Sequence, residues 1–137
     1  MISYNYINVR KPALSHRVLN KWIREVAAGY GRKVGEVAYI FCDDEKILEV
    51  NRQYLNHDYY TDIITFDYCE DDTVNGDIFV SLDTVRSNSE EQGTDYDEEL
   101  RRVIIHGILH LCGINDKGPG EREKMEAAEN KALAMFP

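Results

Sequence analysis

Two histidines one helical turn apart are the residues of this sequence best suited to chemistry. His106 and His110 are four positions apart, so in a helix both imidazoles project from one face and can reach one metal ion. Asp116 follows six residues after His110, beyond Gly113, where we expect the helix to end and the chain to fold back. Two imidazole nitrogens and one carboxylate oxygen are a ligand set that Zn²⁺ accepts, with a fourth position open for water. The spacing therefore indicates a site for one zinc ion per chain, with His106, His110 and Asp116 as metal ligands.

The same histidines also allow a purely structural interpretation. Two helical histidines at positions i and i+4 can be hydrogen-bonded in a polar pocket and hold no metal. Gly107 occupies the position at which zinc proteases of the H-E-x-x-H type carry their general-base glutamate, so a protease of that type would lack its base. The residues alone therefore allow two interpretations of the histidines, as metal ligands or as a structural pair.

The elements that must position these residues follow from hydrophobic periodicity and helix caps. Alternating apolar residues predict four strands, over residues 2–9, 34–42, 62–68 and 77–82. Helical spacing predicts helices over residues 15–29, 43–55, 83–92, 96–112 and 121–135. Asp43 and either Thr94 or Asp95 are the expected N-caps, and the acidic Glu70-Asp71-Asp72 together with Asn75-Gly76 predicts a turn between the last two strands.

Together these elements predict an α+β fold in a single domain over residues 1–137. We expect a four-stranded mixed β-sheet with about five helices packed mainly on one face, and the histidine helix packed on the sheet. No apolar stretch approaches the ~20 residues that a membrane-spanning helix needs. Cys42, Cys69 and Cys112 form no C-x-x-C motif, which indicates free thiols in a reducing cytoplasm.

Charge is distributed unevenly along the chain. The net charge is −9, which argues against nucleic-acid binding over the whole surface. Residues 1–42 nevertheless carry seven basic and two acidic side chains, and Arg17, Lys21 and Arg24 fall on the first predicted helix. This region can form a local basic surface that contacts phosphates, or it can simply be a solvated helix face.

Three longer motifs carry further information: one contains both histidines, and two lie upstream of them in the chain. The run HGILHLCG at residues 106–113 resembles the signature H-G-x-L-H-L-x-G. Upstream, NRQYLNHDYYTDIITF at residues 51–66 resembles L-N-x-x-Y-R…K-D…P-T-D-V-L-S-F, and GDIFVS at residues 76–81 resembles G-D-I-x-I-S. These are the motifs of the YbeY family of bacterial endoribonucleases, and their order and spacing agree, firmly over residues 43–116.

The resemblance implies a metal-dependent, single-strand-specific endoribonuclease that acts in ribosomal RNA processing and ribosome quality control, with a zinc ion assisting phosphodiester cleavage. The implied partners are single-stranded ribosomal RNA precursors, the small ribosomal subunit and assembly factors, namely a small-subunit protein and an assembly GTPase. We expect no membrane association and no nucleotide cofactor.

Two positions depart from the family's motifs. The family's third zinc ligand is a histidine, and in direct register Asp116 stands in its place. A register shifted by one residue would put Lys117 there, and a protonated lysine cannot ligate, so we favour Asp116. Leu55 stands where the family has an arginine associated with the substrate or transition state, while Arg52 lies three residues earlier.

The catalytic and substrate-binding residues therefore stay unassigned, although candidates can be named. Asp62, Asp58 and His57 could transfer protons, and three tyrosines of the same region could stack on unpaired bases: Tyr54, Tyr59 and Tyr60. Two other functions remain as alternatives, a zinc metalloprotease-like hydrolase and a non-enzymatic ribosome-assembly factor with a structural metal.

Overall fold

The computed structural model describes residues 1–137 and contains four strands and five helices, in the order predicted. The strands are β1 (Ile2–Tyr6), β2 (Lys33–Cys42), β3 (Ile63–Asp67) and β4 (Thr73–Ser81). The helices are α1 (His16–Ala28), α2 (Asp44–Leu55), α3 (Leu82–Gln92), α4 (Tyr96–Leu111) and α5 (Glu121–Ala134). None of these helices is both long and apolar enough to cross a membrane.

The strands form one mixed sheet in the order β1-β2-β4-β3. β1, β2 and β4 are parallel to their neighbours, and β3 is antiparallel to β4. The predicted α+β class with a four-stranded mixed sheet is therefore confirmed. β1 is shorter than predicted because Asn8 has a φ of 59°, a left-handed conformation that ends an extended strand.

The two faces of the sheet are covered unequally. Side chains that alternate inward from β2 and β4, among them Tyr39 and Ile78, join α1, α3, α4 and α5 in the main core. The opposite face carries a smaller cluster in which Ile47 and Val50 of α2 pack on Ile64. Four helices thus contribute to one core, as predicted, and α2 covers part of the other face.

Helix α4 packs unusually close to the sheet. A Cβ atom at Gly107 would lie 3.0 Å from two carbons of Ile78 and 3.2 Å from Ile63 Cδ1. The hydroxyl of the fully buried Tyr39 also donates a 2.7 Å hydrogen bond to the carbonyl oxygen of Ile104. Glycine at position 107 therefore lets the helix approach, and a glutamate there, as in the zinc proteases, would have no room.

The predicted turn is present at its acidic residues, whereas its extension to Asn75-Gly76 is wrong, because both residues lie inside β4. The chain turns at Asp71 and Asp72, between the paired Glu70 and Thr73, with Asp71 at a φ of 51°. A Cβ at Gly76 would lie 2.6 Å from the Phe66 carbonyl oxygen, so this glycine serves a close approach between strands.

Helix α5 closes the main core at the C-terminal end of the chain. Trp22 of α1 is fully buried, and its indole N–H donates a 2.8 Å hydrogen bond to the carbonyl oxygen of Ala132. Its ring also meets Phe136 edge-on, with ring centroids 5.0 Å apart. The three cysteines are free thiols, as predicted.

Candidate active site

Helix α4 carries both histidines, and the loop after it returns the third predicted ligand. Asp95 caps the helix by accepting a hydrogen bond from the Glu98 backbone N–H. At the other end Gly113 adopts a φ of 97°, which only glycine adopts without strain and which reverses the chain. Asp116 Oδ2 consequently lies 3.5 Å from His106 Nε2. The structure therefore brings a histidine of the helix and a carboxylate of the following loop close together.

The other ring nitrogen of His106 contacts a residue that sequence reasoning missed. Nδ1 lies 2.7 Å from Oε2 of Glu129 on α5, and the guanidinium of Arg102 donates to Oε1 of the same carboxylate at 3.0 Å. The one signal in the sequence was weak: Glu129 directly follows Ala128, an apolar residue of the last predicted helix, and the structure shows that Ala128 lies on the buried face of α5.

These groups open onto a cleft of about 880 Å³. His106, His110 and Asp116 all line it, together with further acidic side chains, Asp62, Glu98, Glu99, Glu126 and Glu129. The basic residues on its walls are Arg102, Lys117 and Arg122. A cleft in which carboxylates surround two imidazoles is suited to binding a cation and to moving protons.

Burial and charge shift the ionisation of three groups in the cleft. Burial alone would lower the pKa of His106, but the hydrogen bond to Glu129 and the negative charges of Glu129, Asp116 and Asp62 raise it overall. Burial raises the pKa of Asp62, against the opposing positive charge of His106. Burial also raises the pKa of Glu99, partly offset by the positive charge of Arg102.

The donor chemistry fits a metal ion, although the three ligands are not gathered around one point. Ligand atoms roughly 2.1 Å from a tetrahedral zinc lie roughly 3.4 Å apart, close to the 3.5 Å between His106 Nε2 and Asp116 Oδ2. The hydrogen bond at Nδ1 leaves Nε2 as the nitrogen free to ligate. His110 shares the cleft, but no three His, Cys, Asp or Glu side chains are arranged to hold a metal ion.

The remaining candidate residues of the loop between α2 and β3 lie in two different places. His57, Tyr59 and Asp62 line the cleft, and the rings of His57 and Tyr59 stack with centroids 5.1 Å apart. Asp58 instead pairs with Arg52 outside the cleft.

The other two tyrosines also lie away from the cleft. Tyr54 meets Phe66 edge-on, and Tyr60 borders a shallow depression beside α2. Leu55 does line the cleft, so the position at which the family's motif has an arginine presents an apolar side chain there.

The fold and this cleft define a class of protein: an α+β protein with a cleft lined by two histidines of one helix and by several carboxylates. The sequence model described as endoribonuclease YbeY matches residues 5–137. Similar proteins, named endoribonuclease YbeY, include one from Phocaeicola vulgatus that is 71% identical over 136 residues, covering 99% of each chain. One from Bacteroides thetaiotaomicron is 68% identical over 134 residues, covering 98% of each chain.

A solved structure agrees with these relatives. The solution structure of a Thermotoga maritima protein is 27% identical, with a TM-score of 0.70, and the match covers 99% of this chain and 89% of that one. The chain belongs to the endoribonuclease YbeY family. The family, the fold class and the endoribonuclease activity predicted from the sequence are confirmed, and the protein is a hydrolytic nuclease of a metal-dependent family.

Proposed function

We propose that this endoribonuclease cuts single-stranded segments of ribosomal RNA precursors with the help of one zinc ion held by His106, His110 and Asp116. One observation carries the proposal: His106 lies between two carboxylates, with Glu129 at Nδ1 and Asp116 at 3.5 Å from Nε2. A metal-ligating histidine usually donates its other ring N–H to a carboxylate or carbonyl. When bound, zinc supplies a Lewis acid for the phosphoryl oxygen and a water of lowered pKa.

Two basic residues of the cleft are suited to hold the RNA backbone. Arg102 is already engaged by Glu129 and Asn130, whereas the exposed Lys117 and Arg122 have no partner among the ion pairs of the protein. Both line the cleft that also contains the histidines. We assign to Lys117 and Arg122 the phosphate contacts that the family's arginine, replaced here by Leu55, would otherwise make.

The stacked pair of His57 and Tyr59 is suited to an unpaired base. Tyr59 is 52% exposed and stands on the cleft wall, so a base can lie against its ring. Stacking on an aromatic side chain requires a base that is free of its duplex. The preference for single strands follows from this contact, because paired bases present no open face.

Asp62 is the best-placed group for proton transfer. It lines the cleft, and burial raises the pKa of its carboxyl group, which brings the pKa closer to that of a working acid or base near neutral pH. Its carboxylate can accept the proton of the attacking hydroxyl group, from water or from the ribose 2′-position, and then donate that proton to the ribose oxygen that leaves the phosphorus.

The remaining parts of the proposal concern partners and location. Ribosomal precursor RNA as the substrate implies contacts with the small ribosomal subunit and its assembly factors, in the cytoplasm where ribosomes are assembled. The exposed basic side chains of α1, Arg17, Lys21 and Arg24, offer a surface for RNA phosphates in such an assembly.

Metal content and RNA cleavage, measured on the same untagged preparations, test this function. The variants are His106→Ala and Asp116→Ala, with Asp58→Ala as the control for Asp116, because Asp58 is an exposed loop carboxylate outside the cleft. We expect about one zinc ion per chain in the wild type and the control, and none in the two variants. Cleavage of an unpaired ribosomal RNA fragment, and not of the same fragment in a duplex, should follow metal content.

Each contrary result removes a particular part of the proposal. Retention of zinc by Asp116→Ala would move the third ligand to another residue. Absence of metal from the wild type after reconstitution, with RNA cleavage intact, would remove the metal from the mechanism. Equal cleavage of the duplex would refute the single-strand preference.

A further inference from the structure

The contacts between α4 and α5 point to a positioning role for an acidic residue outside the ligand set. We propose that Glu129 holds His106 in the tautomer and orientation in which Nε2 can ligate metal, and that Arg102, itself held by Asn130, keeps Glu129 in place. The inference rests on the proposed function, since it assumes that His106 is a ligand.

The hydrogen-bond geometry selects one tautomer of His106. An ionised glutamate can accept hydrogen bonds but cannot donate them, so the 2.7 Å contact with Glu129 Oε2 requires a proton on Nδ1. A neutral imidazole that carries its proton on Nδ1 presents an unprotonated Nε2. That nitrogen is the one that lies 3.5 Å from Asp116, so Glu129 turns the lone pair toward the other proposed ligand.

Glu129 is itself fixed by a two-point contact between the helices. Arg102 and His106 are four residues apart on α4, and Glu129 and Asn130 are neighbours on α5. The guanidinium donates from Nη1 to Glu129 Oε1 at 3.0 Å and from Nη2 to Asn130 Oδ1 at 2.8 Å. Arg102 therefore occupies one carboxylate oxygen and leaves the other oxygen aimed at His106.

Burial makes this arrangement effective. The side chains of Glu129 and His106 are only 12% and 20% exposed, so water and salt screen their interaction less than on an open surface. The other carboxylates of the cleft make no hydrogen bond to His106, and this includes Asp62 and also Asp116, whose Oδ2 lies 3.5 Å from Nε2. Glu129 is consequently the group that decides which nitrogen of this ring carries the proton.

Two variants and one control separate this role from a general effect on folding. Glu129→Ala removes the acceptor, whereas Glu129→Gln keeps the shape and an amide oxygen that can still accept from Nδ1. Glu123→Gln is the control, because Glu123 is an exposed glutamate in the first turn of the same helix. Circular dichroism establishes that each variant is folded.

The readouts are the tautomer of His106 and the affinity for zinc. Nitrogen-15 NMR of the metal-free proteins, at a pH above the histidine titration range, should show Nδ1–H in the wild type and in both glutamine variants. In Glu129→Ala we expect the Nε2–H form to appear. Competition with a chromophoric chelator should show zinc binding weakened about 10- to 100-fold in Glu129→Ala, less in Glu129→Gln and not at all in Glu123→Gln.

The outcomes distinguish failure of the inference from failure of the proposed function. If Glu129→Ala keeps the wild-type tautomer and zinc affinity, Glu129 does not position His106 and the inference is overturned. If the wild type binds no zinc, the ligand set of the proposed function fails, and the role of Glu129 toward a metal fails with it. A changed tautomer together with weakened zinc binding supports both.

Discussion

Replacement of Gly76 by alanine tests how closely β4 packs against β3 and against Leu111 at the end of α4. The new Cβ would lie 2.6 Å from the carbonyl oxygen of Phe66, and 3.0 and 3.3 Å from the two terminal methyl carbons of Leu111. Phe66 belongs to β3, which pairs with β4 through this region. Its carbonyl oxygen cannot retreat without disturbing the pairing of the two strands.

The expected cost follows from two opposing effects. Overpacking costs about 1–3 kcal/mol, and the value here should lie near the upper limit because the obstructing atom is backbone. Replacing a strand glycine by alanine recovers about 0.5–1 kcal/mol of conformational entropy. We therefore expect Gly76→Ala to lower the free energy of unfolding by about 2 kcal/mol, which for a chain of this size lowers the Tm by about 8 °C.

Urea denaturation followed by circular dichroism measures this difference, and Gly107→Ala provides the comparison. Its Cβ would meet only side-chain carbons, at 3.0–3.2 Å, and those carbons can shift. Alanine is also favoured over glycine by about 0.8–1.0 kcal/mol within a helix. Gly107→Ala should thus change the stability by less than about 1 kcal/mol. A loss below about 0.5 kcal/mol for Gly76→Ala, or an equal loss in both variants, would refute this reasoning.

Three further expectations concern RNA binding and pH. Arg122→Gln should weaken binding of single-stranded RNA and reduce the slope of the logarithm of the binding constant against the logarithm of salt concentration by about 0.7. Arg86→Gln, outside the cleft, should change neither quantity. An unchanged slope in Arg122→Gln contradicts the phosphate contact. Tyr59→Ala should cost about 1–3 kcal/mol of RNA binding in a filter-binding assay, and Tyr59→Phe should retain it; equal losses would argue against stacking. Glu99 has a raised pKa in the folded state because of burial, so its contribution to stability is present at low pH and is lost as the pH rises through that pKa. Glu99→Gln should therefore be more stable than the wild type at pH 7 in urea denaturation, and the difference should vanish below about pH 4; a variant no more stable at pH 7 contradicts the sign.

Much of the fold could be predicted because its signals are local. Helix α2 has its N-cap at Asp43 and α4 at Asp95, since a short acidic side chain before an apolar period satisfies free backbone N–H groups. The turn before β4 was predicted correctly at Asp71 and Asp72 and wrongly at Asn75-Gly76. A glycine needed for a turn and a glycine needed for contact with a distant strand look the same in sequence, and only the fold reveals the Phe66 carbonyl.

The candidate site was predictable to the extent that its residues lie close together in the chain. His106, His110 and Asp116 fall within eleven residues, and a helix followed by a glycine suffices to bring them to one cleft. Glu129 reaches His106 from another helix, so its role depends on how α5 docks. The same limit applies to Asp58. It is the neighbour of His57 in sequence and so was a candidate for the cleft, but in the fold it pairs with Arg52 outside the cleft.

The hydrogen bond from Trp22 to α5 provides an optical probe of the site. Trp22 is the only tryptophan of the chain, and Ala132, which accepts its indole proton, lies three residues after Glu129 on the same helix. Any movement of α5 that withdraws Glu129 from His106 exposes this indole to water and shifts its emission to longer wavelength. Intrinsic fluorescence, without any added label, therefore reports whether the helix that orients His106 is in place.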